Sequence, residues 1–511
     1  MWCHMPDFPH IPRTDPPSGP SVRRARVRSL RRGAVALSAC LVLGACAVGP
    51  DYRRPAQDVG AAYAHAPAGQ WRPAQPAAAV VASDWWRLFG DAGLDDLMDR
   101  MPAVNLDVAQ AEAQYRQAQA ALGTARAGLF PSVDLSASTT RAGQGASGAG
   151  NTASTYSLSA SVSWEADLWG RVRRDVEAAR AGVQASAADL SAMRLSLRST
   201  LAQTYFAVRA SQRQDALLSR TLDEYARALE MTRNRYEAGV ASSADVAAAS
   251  AQLDQARVQR IRLGWQREQQ IHALAVLMGL PPSGFRMPPG DGLPAAPAVP
   301  AGVPSALLQH RPDIAAAERR VAQANARIGV AQAAWFPDLT LSAQGGYRAG
   351  EFASWIMAPA RFWTLGPALA LSVFDGGARS AAVESARAAY DAQAAQYRKT
   401  VLDALREVED ALVQSQALAR EQEAQDRALA ASRESLRQVT NQYRAGLVDY
   451  LSVVQAQASA LSAEQNALDL RSQRLAATVQ LAAALGGGYV EPGDGELARD
   501  GARPAVVPAQ P

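Results

Sequence analysis

The sequence of 511 residues is internally duplicated, and this duplication constrains its fold more than any other feature. When Asp107–Ala137 is placed over Asp313–Ala343 without a gap, 15 of 31 positions are identical. Seven of the matches are alanines, but the Phe130-Pro131 pair also falls on Phe336-Pro337. Similarity of this kind at a fixed spacing predicts two copies of one structural unit.

Each copy predicts the same elements in the same order. An Ala/Gln-rich helix (106–129 or 314–335) is followed by two strands and then by a proline-free stretch of 66 residues, Arg171–Tyr236 or Ala378–Tyr443. As one helix, such a stretch is about 100 Å long. Apolar residues at alternating spacings of four and three, from Leu218 to Tyr236, are typical of a coiled-coil seam. A tip containing Gly239 or Gly446 and an Ala-rich return helix to Gly279 or Gly486 complete each copy.

The strands alternate strictly between apolar and small polar residues. Tyr156, Leu158, Ala160, Val162 and Trp164 alternate with serines, as Leu339–Ala343 and Trp363–Val373 alternate with smaller residues, and Arg141–Thr155 reads as a polar hairpin turn. Tyr156, Trp164, Tyr347 and Trp363 near the strand ends suit a membrane girdle. Four strands cannot close a barrel, which needs about eight, so several chains would share one pore lined by serine and threonine. The alternative is a water-soluble four-stranded sheet packed on helices.

The first 46 residues have the pattern of a secretory signal. Six arginines between Arg23 and Arg32 precede the apolar stretch Gly33–Ala45, and Leu43-Gly44-Ala45-Cys46 resembles a bacterial lipobox. Cleavage before Cys46 would leave it as the mature chain's only cysteine, acylated and anchored in lipid. Ala47 follows in place of an aspartate, which favours the outer membrane. The alternative is an ordinary signal peptide with an incidental cysteine.

Charge and composition exclude several classes of protein. The formal net charge is +4, but residues 1–45 alone carry seven arginines and two aspartates, a net charge of +5. The rest of the chain therefore has a net charge of 4 − 5 = −1, and it lacks the positive charge that a nucleic-acid-binding protein needs. No other apolar run approaches the roughly 20 residues that a membrane helix needs, which excludes a multi-helix transporter. His65, His272 and His310 lie far apart, and no catalytic, cofactor-binding or metal-binding motif is present. We expect neither an enzyme nor a cofactor.

Several motifs, taken in order, carry a family resemblance that extends from about residue 46 to 488. The chain resembles an outer-membrane efflux lipoprotein of the TolC-like family, of the NodT type that serves as the outer component of RND efflux systems. The matching motifs are Cys46–Pro55, Trp85–Asp91, Phe130-Pro131, Trp164–Arg171, Arg311–Asp313, Phe336-Pro337 and Phe374–Gly377.

The resemblance implies an α+β fold, mostly α. A homotrimer would form a 12-stranded barrel in the outer membrane, with four strands per chain, continuing into a long periplasmic helical barrel. It also implies a passive exit duct for drugs or other small molecules, coupled to a periplasmic adaptor protein and an inner-membrane RND-type transporter. The alternatives are the outer component of a metal-efflux or type I secretion system, and a non-conducting structural lipoprotein.

The same resemblance assigns roles to the two helix tips. The adaptor would dock on Gly239, Val240, Ala241 and Ser242, and on Gly446, Leu447 and Val448. Many relatives carry an Asp-Ala-Gln-Arg run past the second tip, whereas this chain has Gln455-Ala456-Gln457-Ala458. We therefore predict a resting aperture held mainly by Tyr450, Leu451 and packing, with nearby carboxylates from Asp245 and Asp449, and leakier than in relatives.

These interpretations divide the chain into six parts. They are a signal peptide (1–45), a lipid-anchored periplasmic segment (46–103), a first repeat (104–280), a Pro-rich linker (281–309), a second repeat (310–487) and a C-terminal tail (488–511).

Overall fold

A computed structural model describes residues 47–57, 59–60, 63–65, 83–144, 151–290, 292–299 and 310–489. The predicted signal peptide and Cys46, residues 291 and 300–309 of the predicted linker, and nearly all of the predicted tail lie outside these residues. The helices and strands are α1 (Ala92–Val104), α2 (Leu106–Ala127), β1 (Ser132–Gln144), β2 (Asn151–Ala166), α3 (Arg171–Glu237), α4 (Ser243–Leu277), α5 (Pro312–Ala333), β3 (Asp338–Ala349), β4 (Arg361–Ala370), α6 (Ala378–Arg444) and α7 (Tyr450–Ala484).

The duplication is visible in the helix lengths. Helices α2 and α5 have 22 residues each, α3 and α6 have 67 each, and α4 and α7 have 35 each. α2 and α5 end two residues before the predicted positions. Their last turns tighten, as when the Phe130 amide donates to the Ala127 carbonyl at 3.0 Å and the Phe336 amide donates to the Ala333 carbonyl at 3.0 Å.

In each half the first and last helices meet at a glycine. Gly279, after α4, has φ +64° and faces the carbonyl oxygen of Val104, just before α2. Gly486, after α7, has φ +94° and faces the carbonyl oxygen of His310, just before α5. A side chain at either position would occupy the space of that oxygen, so the close approach requires glycine.

The long helices lie side by side. α3 packs on α4 and on α7, and α7 packs on α6, so the lateral order is α4, α3, α7, α6. The main core forms where α3 also packs on α2 and α5. Its largest fully buried side chains include Trp85, Leu94, Met98, Leu201, Tyr205, Phe206, Leu274 and Tyr397. None of the helices among the described residues combines the length and the apolarity required to cross a membrane.

The segment that follows residue 46 is bound along these helices. Beside the end of the sheet, the Val48 amide donates to the Trp169 carbonyl at 2.9 Å. Asp51 pairs with the buried Arg174 at 2.9 Å, and the phenol of Tyr52 donates to Glu318. Further along, the Ala64 amide donates to Glu409 of α6 at 2.7 Å. The segment therefore runs from the sheet toward the middle of the helices.

The four strands form one antiparallel sheet in the order β1-β2-β3-β4. Two sequence predictions for it were wrong in extent. Arg141–Gln144 and Asn151–Thr155 are paired strand rather than turn, because the backbone ladder continues through Gln144 and Asn151. β4 ends at Ala370, so Leu371 and Val373 lie beyond it, in the connection to Gly376 and Gly377, whose φ values of +63° and +94° turn the chain into α6.

Candidate functional site

The register of the sheet separates its side chains into two chemically different faces. Leu135 pairs with Ala160, Ala160 with Gly345, and Gly345 with Trp363, so these residues share a face. One face therefore carries Val133, Leu135, Leu158, Val162, Trp164, Leu339, Leu341, Tyr347, Trp363, Leu365 and Leu369, and the other carries Ser132, Asp134, Ser136, Ser138, Ser157, Ser159, Ser161, Thr340, Ser342, Gln344 and Thr364.

The apolar face is exposed on the single chain. Leu135 is 77% exposed, Leu365 75% and Trp363 79%. A sheet packed on helices would bury such residues, and exposed apolar surface of this extent marks an interface with a membrane or a protein. The water-soluble alternative therefore has no support in the packing.

The polar face carries side chains that hydrogen-bond to one another across the strands. The side chains of Ser138 and Ser157 lie 2.7 Å apart, those of Ser136 and Ser159 lie 3.0 Å apart, and the Gln344 amide donates to Ser159 at 3.1 Å. Cross-strand hydrogen bonds of this type suit a surface in contact with water. Nearer the hairpin end, the Arg348 guanidinium lies 4.6 Å above the Phe362 ring on this face.

Both edges of the sheet are open within one chain, because β1 pairs only with β2 and β4 only with β3 in the described structure. Each edge presents unpaired backbone N–H and C=O groups. Such groups cannot remain unpaired in lipid. The sheet is thus incomplete as a membrane structure until β1 and β4 find partners.

The two hairpin tips are built by glycine and by helix caps. Gly239 and Gly446 have φ values of +73° and +77° and reverse the chain at the ends of α3 and α6. The Ser242 side chain accepts from the Asp245 amide at 3.1 Å, while Asp245 accepts from the Ser242 amide at 2.9 Å, which starts α4. Val240 and Leu447 are 65% and 75% exposed, so each tip presents an apolar side chain. Ala241, Ser242 and Val448 complete the two predicted docking tips.

The residues predicted for the aperture lie in two different environments. Leu451, Gln455 and Ala458 are exposed at spacings of four and three and share one face of α7. Asp449 is the N-cap of α7, whereas Asp245 lies in the first turn of α4 and accepts from the Ser242 amide. Hydrogen bonds from Ser452 hold the pKa of Asp449 below its ordinary value, which keeps this carboxylate charged. Tyr450 is buried rather than exposed.

Sequence reasoning missed the contacts that bury Tyr450. Its ring lies 5.5 Å from the Tyr443 ring, and its phenol lies beside Thr232 of α3. The Arg235 guanidinium lies 4.6 Å above the Tyr443 ring. These four side chains join the first hairpin to the second near the tips. Thr232 lies in the predicted seam from Leu218 to Tyr236. The contact itself has no sequence signal, because Thr232 and Arg235 are more than 200 residues from Tyr443 and Tyr450 in the chain.

Comparisons with known proteins agree with this architecture. The family model described as outer membrane efflux protein matches residues 97–280 and 303–487. The outer membrane protein OprJ of Pseudomonas aeruginosa is 34% identical over 474 residues, covering 90% of this chain and 96% of OprJ. The toluene efflux pump outer membrane protein TtgC of Pseudomonas putida is 32% identical, covering 88% of this chain and 94% of TtgC.

A solved structure is similar over almost its whole length. The structure of the outer-membrane channel OprN has a TM-score of 0.80 and 32% identity, and the match covers 88% of this chain and all of the OprN chain. The predicted fold class, a mostly helical α+β chain with four strands and an internal duplication, is confirmed.

Proposed function

Because this chain belongs to the outer membrane efflux protein family, we propose that three copies form the passive exit duct of a tripartite efflux pump. The observation that carries the proposal is the sheet with one exposed apolar face, one hydroxyl-lined face and two open edges. Four strands from each of three copies give a closed barrel of 12, with the apolar face toward lipid and the hydroxyl face toward water.

The helices continue the duct below the barrel. With 67 residues each, α3 and α6 extend about 100 Å. α4 and α6 are the lateral edges of the helical layer, and both expose large apolar side chains, among them Trp265 on α4 and Leu402 on α6. In the trimer these edges meet between copies, just as β4 meets β1 above them. The same symmetry completes the sheet and the helical wall.

Acylation of Cys46 would anchor the chain beside its own barrel. Ala47 lies against Gly170, between the end of the sheet and the start of α3, which is the level expected for the membrane surface. This position supports an outer-membrane lipoprotein in which the described residues between 47 and 65 descend along the helices. Incorporation of a palmitate analogue by the normal chain and its loss in the Cys46→Ser variant would test the anchor.

The exposed tips are the docking site for the periplasmic adaptor, which links the duct to an RND-type transporter of the inner membrane. Replacing the apolar Leu447 by glutamate (L447E) should reduce cross-linking to the adaptor at least tenfold in the host membrane, since it puts a charge into a desolvated contact. Trimer mass and conductance should stay unchanged. The matched control is L88E, a change at an exposed leucine far from the tips, and equal cross-linking of both variants would contradict the assignment.

The resting aperture lacks the charges that relatives use near Gln455 and Ala458. We expect Q455D together with A458R to lower the single-channel conductance in planar bilayers, because the exposed face of α7 would regain a carboxylate and a partner cation. The double variant Q455A with A458S changes the same two positions without introducing a charge and serves as the control. A higher conductance in the charged variant would contradict a loosely held aperture.

Drugs or other small molecules are the proposed cargo. A relative named for toluene efflux supports small-molecule export. The duct itself provides a hydrated passage, and the choice of substrate is made by the transporter that loads it.

The test of the function is the mass of the purified protein in detergent together with its conductance in a planar bilayer. A mass of three chains with discrete conducting steps is the expected result. A non-conducting monomer would overturn the shared barrel and favour a structural lipoprotein.

A further inference from the structure

Two arginines lie on the apolar face of the sheet. Arg141 of β1 alternates in register with Val133 and Leu135, and Arg361 of β4 alternates with Trp363 and Leu365. Both side chains are exposed. In the described part of the chain, neither guanidinium is paired with a carboxylate, whereas several arginines of the helices are, among them Arg194, Arg320 and Arg437. A charged side chain on a lipid-facing surface is costly unless it reaches the polar boundary of the membrane.

Both arginines reach the same height above the helices. Arg141 is nine residues from Ser132, the helical end of β1, and Arg361 is nine residues from Ala370, the helical end of β4. Nine residues extend about 30 Å along a strand, which is roughly 23 Å of height at a tilt of about 40°. The apolar band of such barrels is about 25 Å tall, so both guanidinium groups lie at its outer boundary. Tyr347, the register partner of Arg361, and Trp363 lie there as well.

The two arginines are on the two edge strands of the sheet. In the trimer, a premise that rests on the proposed function, β4 of one copy lies next to β1 of the following copy. Neighbouring strands are about 4.8 Å apart. The guanidinium of Arg361 in one copy therefore meets that of Arg141 in the next, and three such pairs form around the barrel.

We propose that each of these pairs binds the phosphate group of a lipid in the outer leaflet. Two guanidinium forks side by side repel each other unless an anion lies between them, and phosphate accepts paired hydrogen bonds from arginine. Because the apolar face below them contacts acyl chains, the phosphate that arrives at this height belongs to a lipid headgroup. The aromatic rings of Tyr347 and Trp363 border the same site. Free phosphate has no acyl chain to contact the apolar face, and a lipid with a neutral headgroup has no anion to bind the two guanidinium groups.

Native mass spectrometry of the detergent-purified trimer with added diphosphorylated lipid A tests the proposal. The normal trimer should retain up to three lipid molecules, and R141Q, R361Q and the double variant should bind at least tenfold more weakly. The matched control is R348Q, which removes the same charge near the same end of the sheet but from the polar face. Lipid A without its phosphates, and inorganic phosphate alone, should bind at least tenfold more weakly to the normal trimer.

The outcomes separate this inference from the proposed function. Suppose that the protein is a conducting trimer but that R141Q/R361Q binds diphosphorylated lipid A as well as R348Q does. The proposed lipid site would then be wrong, while the proposed exit duct would be supported. Equal binding of the dephosphorylated lipid, or competition by inorganic phosphate alone, would also overturn the lipid site. If the normal protein is a non-conducting monomer, the seam does not exist and both proposals fail. All three substituted arginines are exposed, so we expect each variant to keep the trimer mass. R141Q and R361Q, on the lipid-facing side, should also keep the conductance, whereas R348Q on the polar face can change it.

Discussion

Replacing Gly486 by alanine is expected to prevent the chain from folding to normal yield. A residue other than glycine at φ +94° costs about 1–2 kcal/mol. The new Cβ would in addition occupy the space of the His310 carbonyl oxygen, so the last turn of α7 would have to move away from the start of α5. We expect a loss of at least roughly 3 kcal/mol, because strain at a special backbone position adds to the steric clash. The yield of trimer and its thermal dissociation temperature measure the effect.

The tip glycine Gly446 is the matched control for this change. Its φ is +77°, but a Cβ there would meet nothing within 4 Å. Alanine at this position should cost only about 1 kcal/mol and leave the yield of trimer close to normal. Gly279, the counterpart of Gly486 in the first half, faces the Val104 carbonyl oxygen and should behave like Gly486. Equal effects at Gly446 and Gly486 would mean that backbone conformation alone matters and that the close helix contact does not.

Replacing Leu365 by arginine is expected to abolish insertion of the barrel. Leu365 lies on the apolar face, five residues from the helical end of β4, which places it near the middle of the membrane. An arginine at this depth costs about 2–4 kcal/mol. Three copies in one trimer multiply this cost, so the total is comparable with the whole stability of an ordinary domain. The measurement is the amount of protein in the outer membrane that resists extraction by urea.

The adjacent residue provides the control for the lipid-facing position. Thr364 is on the opposite face, where Gln344 is its register partner, so an arginine there would point into water. The Thr364→Arg variant should insert normally and change only the conductance and ion selectivity. If both arginine variants inserted equally well, the assignment of the two faces would be wrong. If only Thr364→Arg failed, the faces would be reversed.

Local sequence patterns predicted the helices and strands well, because the spacing of apolar and polar residues along the chain differs between a helix and a strand. The long helices, expected at Arg171–Tyr236 and Ala378–Tyr443, are each only one residue longer. The serine alternation predicted the two faces of the sheet. The predicted extent of the hairpin turn was wrong because small polar residues such as Ser154 and Thr155 are as compatible with a strand as with a turn, and only the pairing with β1 decides between them.

Contacts between distant segments could not be predicted in this way. The pair between Asp51 and Arg174 and the contact between Arg235 and Tyr443 depend on which helices become neighbours. Tyr450 illustrates the consequence. Its position beside the tip suggested a role in the aperture, whereas its burial depends on Thr232 and Tyr443. The seam between Arg361 and Arg141 likewise requires the register of strands from two halves of the chain.

The open edges at β1 and β4 also determine the order of events during biogenesis. A single copy cannot remain stably inserted in the membrane, because the unpaired backbone N–H and C=O groups of its two edge strands would be exposed to hydrocarbon. The single copy is also prone to aggregation in water, because it exposes a strand edge beside an apolar face. Association and insertion must therefore be one concerted event, and its rate should rise steeply with the concentration of newly secreted chains. A cell that makes too little of this protein would lose functional ducts faster than it loses protein.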